Sequence, residues 1–136
     1  MRLLRLVAAI LLLGYVALNA VTVGAFAAFK LGFSIPLAFP IEVFDLMAAT
    51  SWAQLGLIAV IAALYLIVSI KLMRRAKAFV FWAVAFVLDV GNLLWNRSNE
   101  AYQAVSDAGP NADYAIVMVN LVIGALILWL GRTHLD

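Results

Sequence analysis

The sequence predicts an all-α integral membrane protein, a four-transmembrane-helix bundle that forms a single membrane domain over residues 1–136. Of these residues, 68% are apolar and only 12% are charged, whereas soluble domains are roughly 45–50% apolar and about 25% charged. Four apolar stretches approach or exceed the roughly 20 residues that a helix needs to cross a bilayer. Basic residues lie at the ends of these stretches. We therefore expect the lipid bilayer to be the solvent for much of the surface.

The predicted spans contain at most one charged residue each. They cover about residues 6–29, 52–72, 78–96 and 114–131. Ser51 and Gln54 fit the two positions of a capping box, so the second helix is expected to begin at Trp52. The first span also resembles a secretory signal peptide, with a basic start and small residues near Ala20. Because its uncharged run is long enough to cross a bilayer, we expect it to be retained.

The links between the spans differ in character. The link between spans two and three is short and basic, which predicts an antiparallel hairpin. The loop over residues 30–51 is too apolar for open water, and Pro40 is a suitable start for a short interfacial helix within it. The outer loop over residues 97–112 is polar and ends in Gly109 and Pro110, a pair that breaks helices.

The distribution of basic residues predicts the orientation. In a four-span protein, seven of the nine Lys and Arg residues share one side: Arg2, Arg5, Lys71, Arg74, Arg75, Lys77 and Arg132. Only Lys30 and Arg97 fall on the other side. The positive-inside rule then places both termini in the cytoplasm, and we expect a bacterial inner (plasma) membrane. Trp82 is expected in the aromatic belt at the cytoplasmic interface.

Asp89 is the one acidic residue within a predicted span. It lies about 16 Å from the cytoplasmic edge, close to the midplane of a hydrocarbon core about 30 Å thick. Asn92 follows on the same helical face, while Asn19 and Asn120 lie at similar depth in spans one and four. Since lipid exposure of such groups is unfavourable, we expect these four residues to face the interior or a protein partner.

This polar set has two interpretations. Membrane asparagines often form interhelical hydrogen bonds worth roughly 0.6–2 kcal/mol each, which is the favoured role for Asn19 and Asn120. An intramembrane acid is instead a hypothesis of function. Because no basic residue lies at the depth of Asp89, we expect it to be neutral at neutral pH, hydrogen-bonded near Asn19 or Asn120. A carboxylate infrared band from Asp89 below neutral pH would contradict this expectation.

Small residues form a second pattern, which recurs every four positions in two spans. It consists of Ala20, Gly24 and Ala28 in span one, and of Ala59 and Ala63 in span two. Such stripes let helices approach closely. Packing inside the bundle is the favoured interpretation, and an oligomer face is the alternative.

Catalysis is not expected. The chain has no Cys and a single His, His134, so the sequence predicts neither a metal site, a cofactor nor catalytic residues, and hence no enzyme. The net charge of +2 does not indicate nucleic acid, because the basic residues follow membrane topology.

Two functions remain. The favoured prediction is an accessory or scaffold subunit that packs against other membrane protein subunits, because it explains both the missing chemistry and the apolar loop over residues 30–51. The alternative is a small homo-oligomeric transporter or channel that uses Asp89 for proton or cation coupling. Because four helices are few for an enclosed path, that alternative requires self-association.

Overall fold

The computed structural model describes residues 2–33, 41–99, 102 and 112–134. Within them the chain forms five α-helices and no strand, which confirms the all-α prediction. The helices are α1 (Arg2–Lys30), α2 (Ile41–Ala49), α3 (Trp52–Met73), α4 (Phe79–Arg97) and α5 (Ala112–His134).

Three of the described helices, α1, α3 and α4, are long and apolar enough to cross a membrane. In α5 the described apolar stretch, Tyr114–Trp129, is shorter. Helices of this length and composition are stable when lipid surrounds them, because their backbone groups are paired internally. The chain is therefore an integral membrane protein, while its fourth span and its orientation stay predictions.

Helix α3 lies at the centre of the packing. It packs against α1 and α4, and α5 packs mainly against α4. The long helices all contribute side chains to one apolar core, among them Leu12, Tyr65, Ala85 and Ile127. Because α5 packs mainly against α4, a cleft remains between α1 and α5.

Helix α2 forms inside the loop over residues 30–51, where a short helix is predicted. It packs against α1, with the Phe44 and Phe29 ring centroids 5.7 Å apart, and it buries Leu46 and Met47. Part of the apolar loop is thus covered by α1 of the same chain. The predicted helix start, Pro40, lies outside the described residues, as does most of the outer polar loop, and the interfacial position of α2 stays a prediction.

The small-residue stripes lie mostly on the outside of the described bundle. Ala20 and Gly24 of α1 are exposed, and so are Ala59 and Ala63 of α3. A Cβ added at Gly24 would meet nothing within 4 Å. The favoured interpretation, packing inside the bundle, is therefore wrong for these four residues. The physical reason is that α1 buries a different set of residues, Ala8, Ala9 and Leu12.

Candidate functional site

Asp89 lies in the middle of α4, where two tyrosine hydroxyls donate to it. The Tyr15 hydroxyl of α1 donates to both carboxyl oxygens, at 3.0 and 2.9 Å. The Tyr65 hydroxyl of α3 donates to Oδ2 at 3.1 Å. The two rings meet edge to face, with centroids 5.3 Å apart. Asp89 therefore faces the interior, but its direct partners are tyrosines rather than the expected Asn19 or Asn120.

Asn120 reaches Asp89 through Tyr65. The amide Nδ2 of Asn120 donates to the Tyr65 hydroxyl, and the Trp82 indole Nε1 donates to Asn120 Oδ1 at 2.8 Å. An indole N–H can only donate, so it requires the amide carbonyl to face Trp82 and the amide NH₂ to face Tyr65. The Tyr65 hydroxyl accepts that bond and has one proton left to give, which goes to Asp89. The hydrogen bonds thus run in one direction, from Trp82 to Asp89.

A second group of amides connects α3 and α4 beyond Asp89. Gln54 is 2% exposed, and its Nε2 donates to Asn92 Oδ1 at 3.1 Å and closely to Asn96 Oδ1. The Gln54 backbone N–H also donates to Ser51 Oγ at 3.2 Å, which confirms Ser51 as the N-cap of α3. The helix start therefore places the Gln54 side chain against α4.

Asn19 lies one helical turn after Tyr15 on α1. Its Nδ2 atom is buried and has no hydrogen-bond partner within the part of the chain that the structure describes. A buried N–H without an acceptor typically costs about 1–3 kcal/mol. Asn19 thus presents an unused donor beside the hydrogen-bonded group around Asp89.

A cavity of about 310 Å³, here called the polar cavity, lies beside Asp89. The polar side chains on its walls include Tyr15, Asn19, Thr22, Asp89, Asn92 and Asn96. From Asp89 to Asn96 it follows α4 for seven residues, about 10 Å along the helix. At about 30 Å³ per molecule of liquid water, it has room for several waters or one small solute.

An apolar cleft of about 310 Å³ lies on the other side of the same network, between α1 and α5. Among its described wall residues, only Tyr15 and Asn120 are polar, and both belong to the network. Tyr15, Leu18 and Ile116 border both the polar cavity and this apolar cleft. Tyr15, together with these two apolar residues, therefore lies between a polar space and an apolar one.

The predicted site residues come together in part. Asp89, Asn92 and Asn19 line the polar cavity, whereas Asn120 borders the apolar cleft. Sequence reasoning left five members out of the predicted site: Tyr15, Tyr65, Trp82, Gln54 and Asn96. Tyr65 carried a signal, because it is the only polar side chain between Gln54 and Ser69 in an otherwise apolar run.

The depth of Trp82, at the cytoplasmic interface, stays a prediction. The structure shows that its side chain is buried: it is 7% exposed, and its indole N–H donates to Asn120. The reason lies in α5, where Gly124 leaves space for the indole. A Cβ on Gly124 would overlap the Trp82 ring.

The fold and this site define a class: a helical integral membrane protein with a hydrogen-bonded carboxyl group beside a polar cavity. Comparison with protein-family models, with curated proteins and with solved structures finds no match to the chain.

Proposed function

We propose that the protein is a small homo-oligomeric transporter or channel in which Asp89 takes up a proton or a cation. The observation that carries this proposal is the polar cavity, which connects the Asp89 carboxyl group with Asn96 near the end of α4. Ionisable side chains in membrane spans commonly mark ion or proton pathways. The proposal involves no catalytic step.

The chemistry of the walls favours a small cation or a proton. The polar cavity presents a carboxyl group, amide groups and hydroxyl groups, whose oxygens replace water around hard cations. Its described walls include no Lys, Arg or His. An anionic solute would therefore meet the Asp89 carboxyl group without a compensating charge.

Two contacts favour this alternative over the accessory subunit that the sequence favours. Asp89 receives both hydroxyl donors from its own chain, so it does not require a group from a partner. Part of the apolar loop is also covered within the chain, because Phe44 of α2 packs against Phe29 of α1.

Self-association is part of the proposal, because in a single chain the apolar cleft separates α1 from α5 and the bundle is not closed there. The exposed small residues of α1 and α3 support it, since small side chains let a second membrane helix approach closely. These residues are Ala20, Gly24, Ala59 and Ala63.

The test is flux through the purified protein in liposomes, with imposed proton, sodium and potassium gradients. We expect flux in the native protein and a loss of about tenfold or more in Asp89→Asn, because the amide cannot exchange a proton or carry charge. The matched control is Asp45→Asn, which makes the same change at an exposed position on α2. Undiminished flux in a folded Asp89→Asn protein would refute the role of Asp89.

The apolar cleft between α1 and α5 favours an accessory subunit as the second candidate. A cleft with almost wholly apolar walls suits a helix of another membrane protein. Native mass spectrometry after gentle extraction from the native membrane distinguishes the two. A mixed complex with other subunits would support the accessory role, and a homo-oligomer would support the transporter.

A further inference from the structure

The two tyrosines that hold Asp89 contact its carboxyl oxygens unequally. The Tyr15 hydroxyl lies 3.0 Å from Oδ1 and 2.9 Å from Oδ2, whereas the Tyr65 hydroxyl lies 3.1 Å from Oδ2. Among the hydrogen bonds of the described residues, Oδ1 therefore contacts Tyr15 alone, and Oδ2 contacts both hydroxyls. The two oxygens are thus not equivalent when a proton reaches the carboxyl group.

The Tyr65 hydroxyl is fixed as a donor to Asp89. Its oxygen accepts from Asn120 Nδ2, and the Trp82 indole N–H imposes that orientation on the amide. Tyr65 is 0% exposed, so water is not available to its hydroxyl hydrogen. A buried donor that loses its acceptor typically costs about 1–3 kcal/mol. Oδ2 of Asp89 therefore keeps this donor in both charge states of the carboxyl group.

The Tyr15 hydroxyl has no such restraint. Within the described part of the chain, no hydrogen bond is donated to its oxygen, and Asn19 Nδ2, one helical turn further on, has no partner. Tyr15 is also only partly buried. Since a hydroxyl group can accept as well as donate, the Tyr15 oxygen can accept a hydrogen bond from Asp89.

Protonation of a carboxylate converts one of its oxygens from an acceptor into a donor. Because Tyr65 holds Oδ2 as an acceptor, the added hydrogen belongs on Oδ1. The Tyr15 oxygen lies 3.0 Å from Oδ1, which is within the range of an O–H···O hydrogen bond. The geometry thus gives a protonated Asp89 one acceptor, and that acceptor is Tyr15.

We propose that Tyr15 accepts a hydrogen bond from Oδ1 when Asp89 takes up a proton, while Tyr65 continues to donate to Oδ2. This inference rests on the proposed function, in its form where Asp89 takes up a proton. In the uptake step a hydronium ion gives its proton to Oδ1 and becomes water, and the O–H bonds of both tyrosines stay intact. Tyr15 is therefore the positioning residue for the proton, and Tyr65 positions the carboxyl group.

Few other groups near Asp89 can titrate. Tyr15 of α1 and Tyr65 of α3 contact it, and Tyr102 borders the same polar cavity. From α5 the network includes only the Asn120 amide, which does not titrate. The charged residues and the histidine of α1, α3 and α5, and the other charged residue of α4, all belong to the first or last turn of their helices: Arg2, Arg5, Lys30, Lys71, Arg97, Asp113, Arg132 and His134. Since tyrosines ionise only at alkaline pH, a change at Tyr15 upon acidification would report the charge of Asp89.

Raman spectroscopy of the full chain in detergent tests the proposal, because the ring doublet of tyrosine differs between a hydroxyl that donates and one that accepts. We expect acidification of the native protein to shift the doublet towards the accepting form. Tyr15→Phe should lose this shift. Tyr65→Phe removes the same kind of hydroxyl from the same carboxyl group and should keep the shift.

Either variant decides the question alone, so the test holds even where one of them does not fold. A shift that persists in a folded Tyr15→Phe protein, or that disappears in a folded Tyr65→Phe protein, would overturn the proposal. In Asp89→Asn the doublet should not respond to acid. A response in that variant would place the change at another tyrosine, such as Tyr102, and would also overturn the proposal.

Infrared spectroscopy separates this inference from the proposed function. The carboxylate band of Asp89 is the difference between the native protein and Asp89→Asn, and it should disappear upon acidification as the proton is taken up. Loss of that band with an unchanged tyrosine doublet would refute the role of Tyr15 and leave proton uptake intact. A native protein without this band at any pH would refute both proton uptake and the role of Tyr15.

Discussion

At the scale of single residues, hydrogen-bond direction explains how an acid is held within a membrane helix. The Trp82 indole N–H can only donate, and it donates to Asn120. Asn120 in turn donates to the Tyr65 hydroxyl, and that hydroxyl donates to Asp89. Partially satisfied polar networks are costly inside proteins, and complete ones define a single arrangement. Removal of any side chain between Trp82 and Asp89 is therefore expected to lower stability by more than the loss of one hydrogen bond would.

The first residue-scale prediction concerns Tyr65. In Tyr65→Phe the Asn120 amide loses its acceptor and Asp89 loses a donor, so the protein should be destabilised by about 1–3 kcal/mol. Thermal unfolding in detergent, followed by circular dichroism, measures this. Ser98→Ala is the control, because it removes a hydroxyl that is exposed and that donates only to Trp95 C=O at the end of its own helix. Equal melting temperatures for both variants would contradict the network.

A second residue-scale prediction concerns Asn19, whose Nδ2 has no partner among the described residues. Asn19→Leu removes a buried unpaired donor, so stability should stay equal or rise within about 1 kcal/mol. If the polar cavity binds a solute through this amide, flux in liposomes should nevertheless fall. A large loss of stability would instead assign Asn19 the purely structural role that the sequence favours.

At the scale of helices, one close contact aligns α4 and α5. The Trp82 ring stacks on Phe86, with centroids 5.0 Å apart, and it also lies against Gly124 of α5. A glycine is needed there because any side chain would occupy the space of the indole. Gly124 thus brings α5 close enough for Asn120 to reach Trp82.

The corresponding prediction is Gly124→Ala. The added methyl group would displace the Trp82 indole, so we expect a loss of stability of about 1–3 kcal/mol, the usual effect of overpacking. The Trp82 bond to Asn120 should break as well, visible as a shift in tryptophan fluorescence. Gly91→Ala is the control, since a Cβ there meets nothing within 4 Å. Equal stability of the two variants would refute this contact.

At the scale of the whole molecule, the arrangement of helices leaves two kinds of unpaired surface. The apolar cleft separates α1 from α5, and small side chains form exposed stripes on α1 and α3. Van der Waals packing drives helix association in lipid, and small residues permit it. A second copy of the chain would therefore pack most closely along these stripes.

The whole-molecule prediction is that Gly24→Leu weakens self-association. The larger side chain separates the helices at the stripe, while its Cβ has no described atom of the chain within 4 Å. Light scattering coupled to size-exclusion chromatography should report a smaller complex. Gly91→Leu, at an exposed position on α4, should leave the size unchanged. If Gly24→Leu keeps the native mass, the oligomer uses another face.

The sequence by itself determined that the chain is helical and lies in lipid, and where each helix runs, because the length and apolarity of a span are local properties. It also identified Asp89, since a charge within an apolar run is visible without a structure. Only the tertiary structure decided the partners of Asp89. Tyr15 and Tyr65 lie 74 and 24 residues away from it, and no local pattern shows which helix faces which.

The same reason explains two features that the sequence did not show. Trp82 is buried because Gly124, a residue of another helix, leaves room for its ring. Ala20 and Gly24 were expected to pack inside the bundle, yet they are exposed, because α1 buries Ala8, Ala9 and Leu12 instead. Depth in the membrane follows from counting residues along one helix, whereas the direction that a side chain faces depends on how the helices rotate against one another, which packing alone decides.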